Sequence, residues 1–114
     1  MSADPLDIAT IRATAERACS INGAPADDLR FLASALRGQL ALLVPEVREM
    51  ARHRSTEQAA VVALVGAEEA ERRAGALWPG VNERTVRKSA MAVLALCRHY
   101  ENVSRAAAVA FPPV

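Results

Sequence analysis

The clearest hydrophobic pattern in the chain is a single stripe: Leu29, Leu32, Leu36, Leu40, Leu43, Val47 and Met50 recur at steps of three or four residues. Such steps line side chains up along one face of an α-helix and would scatter them on a strand. The pattern predicts a helix from Pro25 to His53. Pro25 suits its opening, and Asp27 and Asp28 fall in the first turn, where carboxylates meet the positive end of the helix dipole. Pro45 lies inside it. A proline there lacks an amide donor and crowds the carbonyl of Ala41, so the helix is expected to bend and leave that carbonyl in need of another partner.

Three more helices are predicted. The first runs from Asp4 to Ile21, with Asp4 as cap, Pro5 in the first position, Asp7 in the first turn, and Leu6, Ile11, Ala15 and Ala18 on the apolar face. Asn22-Gly23 ends it, since both residues tolerate the left-handed conformation. The third runs from Ser55 to Leu77, and Ser55 with Gln58 reads as a capping box. Its buried face is small: Ala60, Ala63, Ala67, Ala70, Ala74 and Leu77. Glu68 with Arg72 and Glu69 with Arg73 are expected as solvated pairs one turn apart. The fourth runs from Asn82 to Ala108. Its segment "AMAVLALC", Ala90 to Cys97, has no polar residue on any side, so near-complete burial is expected there, either at the centre of the protein or against a second copy. The expected core is Leu32, Leu36, Leu40, Leu43, Val65, Val86, Val93, Leu94, Leu96 and Cys97.

Composition sharpens this picture. The 114 residues are 52% hydrophobic but only 4% aromatic, a mixture of Ala, Leu and Val that suits closely approaching helices. The fold expected is all-α: one four-helix antiparallel up-down bundle over residues 1–114, with 109–114 as an apolar tail. Net charge is +1, which supplies no bulk attraction to nucleic acid or to an anionic membrane. The N-terminal residues show no basic stretch leading into an apolar run, and no segment has the length of apolar sequence that a membrane helix needs. A cytoplasmic protein is expected. Cys19 and Cys97 stand far apart with no second ligand at metal spacing, and are expected as free thiols.

The run "PGVNERTVRKSA", Pro79 to Ala90, imitates the turn and recognition helix of a DNA-binding helix-turn-helix. Gly80, Val81, Thr85 and Val86 match the turn and core positions, and Arg84, Arg87 and Lys88 are placed to reach phosphates. Three features argue against it. Trp78-Pro79 would sit in the last turn of the motif's first helix, where proline disfavours helical geometry in the residue before it. Glu83 would face the phosphate backbone. A recognition helix also needs one whole face free, whereas this one runs into the apolar Ala90 to Cys97 segment. A Pro-Gly loop followed by an N-capped bundle helix is the simpler account.

Templates for chemistry are mostly missing. There is no H-E-x-x-H, no pair of E-x-x-H motifs, no G-x-S-x-G and no phosphate-binding glycine loop. Glu49 and His53 share a helix face but are too few to hold a metal, and an ion pair is expected instead. Neither a cofactor nor a catalytic residue is assigned. What remains is a polar group at the end of the most apolar helix, "LCRHYEN", with His99, Tyr100, Glu101 and Asn102. Arg37, Gln39 and Glu46 stand beside the proline bend of the second helix. In an up-down bundle these two helices run parallel. If Ala26 and Asn82 start level, His99 lies near the depth of Leu43, and the polar turn and the proline bend can meet in a binding cluster between helices two and four. The simpler account is that these side chains satisfy polar groups at the bend.

The segments "LRG-x-L-x-x-LVPEV" and "LC-x-HYEN" resemble a family of small actinobacterial proteins, mostly from Streptomyces, that carry the label natural product biosynthesis protein. The resemblance spans about Leu29 to Val103. It implies a helical protein encoded near secondary-metabolite or regulatory genes. In that family a His often stands where this chain has Gln39, so histidine chemistry is not expected at that position. The function expected is that of a non-enzymatic accessory or regulatory protein acting through protein contacts. A small-ligand binder or enzyme built on the polar cluster is the alternative, and a DNA-binding protein is the weaker fit. A homodimer is expected, built in part on the fourth helix and on the tail with Val109 and Phe111.

Overall fold

The structure, a computed structural model, describes residues 7–53, 58–76 and 81–110. They form four helices: α1 (Ile8–Cys19), α2 (Ala26–Arg52), α3 (Gln58–Ala76) and α4 (Glu83–Ala110). No strand occurs among the described residues. The protein is an all-α bundle, as the hydrophobic pattern requires.

The helix ends follow local hydrogen bonding. The cap of α1 is Asp7, where Asp4 was expected; the stretch Asp4-Pro5-Leu6 lies outside the described residues. One carboxylate oxygen of Asp7 accepts the Thr10 amide N–H at 3.1 Å and the other accepts the Thr10 hydroxyl at 2.6 Å. The hydroxyl bond, and then the amide bond, hold the Asp7 carboxyl below its usual range. After α1 the chain turns through Gly23, whose φ of 68° is the left-handed conformation expected there. The Gly23 N–H donates to the Glu83 carboxylate at 2.7 Å, fastening this turn to the first turn of α4. Helix α4 opens with a reciprocal cap: Asn82 accepts the Thr85 N–H at 2.9 Å, and the Thr85 hydroxyl accepts the Asn82 N–H at 3.0 Å. The Ser55 cap expected for α3 lies outside the described residues.

Helix α2 continues without interruption through Pro45. Pro45 and Ala41 both lie on its exposed side, so the carbonyl that loses its amide partner faces solvent, where water can serve it.

Packing sets α4 at the centre. It lies against α1, α2 and α3; α2 also lies along α3, while α1 barely touches α2 and does not reach α3. Gly23 meets Glu83 near one end of α1, and Arg12 meets Glu101 further along, so α1 and α4 run in opposite directions. Gly66 of α3 meets His99, while Glu69 and Arg73 share a groove with Lys88 to Ala95, so α3 and α4 are also antiparallel. Side-by-side antiparallel packing is not the crossed geometry of a helix-turn-helix.

The core is asymmetric. Leu36, Leu40, Leu43 and Val47 of α2 meet Val86, Val93, Leu96 and Cys97 of α4, and all are buried. From α3 comes a seam of Ala60, Ala63, Ala67 and Ala70, each buried to within 1% of completion. Small side chains let neighbouring helix axes approach closely. Val65 was expected in this core but is 62% exposed, because it lies on the side of α3 away from the alanines. Leu32 and Leu94 pack on the core only in part. The segment Ala90 to Cys97 is not enclosed all round either: Met91 is 64% exposed and Ala95 is exposed. Three helices wrap three sides of α4 and leave the fourth open.

Two substitutions check this account of local structure by urea unfolding. Asp7→Ala should lower the urea midpoint through loss of the cap. Gly38→Ala, in a helix interior where an added methyl group meets nothing within 4 Å, should raise stability by roughly 0.5–1 kcal/mol.

Candidate functional site

Consecutive residues on a helix point about 100° apart, and the four polar residues of "HYEN" fan out accordingly. His99 turns toward α3, where its ring lies on the backbone of Gly66. Tyr100 is half-buried and packs on the hydrophobic core. Glu101 turns toward α1 and forms an ion pair with Arg12. Asn102 is exposed and lines a groove between α1 and α4, together with Arg12, Glu16, Arg98, Glu101 and Arg105.

The α2 residues do not join them. Arg37 is exposed and opens onto a different groove, of about 470 Å³, between α2 and α3. Leu40, Val44 and Ala74 supply apolar lining there, and Arg48, Glu71 and Arg52 stand over it. Arg48 and Glu71 form an ion pair that holds the Glu71 carboxyl below its usual range. Glu49 takes His53 at 3.1 Å and Arg52 at 3.8 Å, the surface pairing expected of Glu49 and His53. Arg37 has no ion-pair partner among the described residues. Glu46 is exposed. Gln39 is half-buried, and its side-chain oxygen is buried with no hydrogen-bond partner among the described residues. The seven residues therefore divide among several faces of the bundle. The Gly23–Glu83 bond sets the turn before α2 beside the first turn of α4, yet the side chains expected to converge further along do not meet.

His99 is the most constrained of the seven. A Cβ built on Gly66 would lie 2.6 Å from His99 Cδ2 and 2.7 Å from Nε2, inside any permissible contact. A side chain at position 66 therefore requires the His99 ring to move aside. Burial, and secondarily the neighbouring Arg98, push the imidazole below its ordinary value, so the folded protein favours neutral His99. Burial likewise pushes the Cys97 thiol up, with Arg12 opposing, and the Cys19 thiol up, with Glu16 reinforcing. Both thiols are free, as expected, and the raised values disfavour the nucleophilic thiolate. No group of three or more metal-binding side chains occurs among the described residues, and no helix among them is long and apolar enough to cross a membrane.

A family model of unknown function matches residues 9–105, nearly all of the described bundle. The chain belongs to that family, DUF6415. No curated protein and no solved structure matches it. The DUF6415 match takes in the alanine seam, both grooves and every polar residue placed above.

Two features of this DUF6415 chain were not read from its sequence. Gly66 signalled itself as an isolated glycine in a helical pattern, which points to a close approach. The Arg12–Glu101 and Arg48–Glu71 pairs join residues far apart in sequence and left no local signal. Glu69, for its part, binds both Arg72 and Arg73, so the expected Glu68–Arg72 pair is replaced by one a residue closer.

The His99–Gly66 contact makes a joint prediction. Gly66→Ala should destabilise by about 1–3 kcal/mol through overpacking, and in a His99→Ala background it should become neutral or stabilising as helix propensity takes over. Because the folded value of His99 is depressed, its contribution is complete above about pH 6.5, declines as pH falls below that, and levels off beneath the folded value. Thermal unfolding between about pH 7.5 and pH 5 should show a smaller decline in His99→Gln than in the parent.

Proposed function

We propose that this chain is a non-enzymatic helical accessory or regulatory protein that works through protein contacts. The setting we propose is actinobacterial specialised metabolism, which rests on the resemblance carried by "LVPEV" and "HYEN". The observation behind the contact reading is the outer face of α3. Val61, Val62 and Val65 are 50%, 46% and 62% exposed on one side of a helix whose opposite side is sealed by alanines. Val65 lies one turn from Glu69, which lines a groove together with the exposed Met91 of α4. Clustered apolar side chains rimmed by charge are the composition of a contact surface.

Catalysis or ligand binding by a cluster between α2 and α4 finds no support in the placement of these side chains, which face several sides of the bundle. Self-association is a narrower form of the contact reading. The expected use of α4 for it meets an obstacle, since a two-fold axis there would set like charges of that helix against one another. The side chains of the apolar tail lie outside the described residues.

Affinity purification from an actinobacterial host tests the proposal. The parent chain should be recovered in an assembly larger than its own 12.2 kDa. A Val62→Glu, Val65→Glu variant should be recovered alone, with its unfolding free energy within about 0.5 kcal/mol of the parent because both sites face solvent. Equal recovery of partners by the two proteins would contradict the proposal.

A further inference from the structure

The solvent side of α4 carries a charge pattern that its sequence order conceals. At about 100° per residue, the exposed residues Arg84, Arg87, Lys88, Met91, Ala95, Arg98, Asn102 and Arg105 fall within one stripe roughly 100° wide. It extends for about 32 Å along the helix at 1.5 Å per residue. Five of these residues are cations, none is an acid, and none of the five has an ion-pair partner among the described residues. Helix α4 does contain two carboxylates, Glu83 and Glu101, but both lie off the stripe toward α1 and are engaged, with the Gly23 N–H and with Arg12. On the α3 flank Glu69 is held by Arg72 and Arg73. Glu16 lines the α1 flank and forms no ion pair with the stripe. A chain with a net charge of +1 thus gathers on one helix face five positive charges that have no ion-pair partner among the described residues.

The order along the stripe is as informative as its sign. Three cations occupy the first two turns, two occupy the end, and the middle holds Met91, 64% exposed, with Ala95. We propose that this stripe is the docking surface for an acidic amphipathic helix of a partner protein, with apolar side chains over Met91 and Ala95 and carboxylates toward the cations at each end. The inference rests on the protein-contact reading above and names the partner's chemistry. Charge complementarity of this kind steers association and fixes register, while the apolar centre supplies desolvation. Nucleic acid fits less well. Between Lys88 and Arg98 the stripe has about 15 Å without a cation, whereas phosphates on a duplex strand recur every 3.4 Å or so. A lipid surface fits less well too, because membrane-surface helices place large apolar residues on one face and cations on the other, and here both share one face.

Fluorescence anisotropy with a labelled synthetic peptide tests the inference. The probe is a helix of about twenty residues, long enough at 1.5 Å each to span the stripe, with a central Leu stripe flanked by Glu. A version with Lys for Glu, a DNA duplex and phosphatidylserine vesicles serve as competing probes. The expected result is binding of the acidic peptide alone, weakened about tenfold or more between roughly 50 and 300 mM salt. Arg84→Glu with Arg87→Glu, Arg98→Glu with Arg105→Glu, and Met91→Glu should each weaken it by about tenfold or more. Arg30→Glu, on α2 and away from the stripe, should leave it unchanged. Circular dichroism melting of each variant separates loss of the surface from loss of the fold. Equal binding of the acidic and basic peptides, tighter binding of DNA or vesicles, or well-folded stripe variants that bind as the parent does would overturn the inference. If acidic peptide fails to bind while host assemblies still form and withstand the stripe variants, the acidic-helix inference falls and the protein-contact reading stands. If the α3 valine variant also retains its assemblies, the contact reading itself falls.

Discussion

The alanine seam of α3 is the constraint on which the rest of the bundle depends. Ala60, Ala63, Ala67 and Ala70 are closed off almost completely, and side chains this small let the α3 backbone come close to its neighbours. The same closeness leaves no room for a Cβ between Gly66 and the His99 ring. With α3 drawn in on one side and α1 fastened on the other by the Gly23–Glu83 and Arg12–Glu101 contacts, α4 becomes the helix that three others share. Its large residues Val86, Val93, Leu96 and Val103 fill the interior that the alanines do not.

That division of labour determines what the surface displays. A helix whose fully buried residues are alanines turns Val61, Val62 and Val65 to the other side, where they are exposed. A central helix enclosed on three sides by neighbours keeps one open side, and on α4 that side gathers Arg84, Arg87, Lys88, Arg98 and Arg105 around Met91. Both surfaces follow from the packing order. The adjoining outer faces of α3 and α4 provide apolar contact and positive charge along one side of the molecule, the combination on which the proposed protein contacts rest.

The architecture was largely legible in the sequence, because its signals are local. Leucine periodicity, the Asn22-Gly23 stop and the Asn82 cap mark helices wherever they pack. The small face of α3 was legible for the same reason. Placing Val65 in the core ran against that same face: two residues from Ala63 and from Ala67 on a helix of about 100° per residue, it stands on the side opposite the alanines. The candidate site failed on a simpler point of geometry. His99, Tyr100, Glu101 and Asn102 are neighbours in sequence, and on a helix that separates them in direction, toward α3, the core, α1 and solvent. Adjacency marks a cluster in a loop; on a helix the matching partners stand three or four residues away. The cation stripe of α4 obeys that rule and was missed because its members are spread over more than twenty residues, interleaved with the buried ones.

The most direct test of the central claim compares two additions of bulk to α3 by thermal unfolding. Ala67 is fully buried in the seam, and Val65 is 62% exposed two residues earlier. Ala67→Leu forces extra carbon atoms between helices already in close contact and should destabilise by about 1–3 kcal/mol, lowering the melting temperature by about 4 °C for each kcal/mol. Val65→Leu, of similar chemistry on the open face, should stay within about 0.5 kcal/mol of the parent. An Ala67→Leu protein that melts with the parent would show that α3 does not depend on close approach, and would contradict the account.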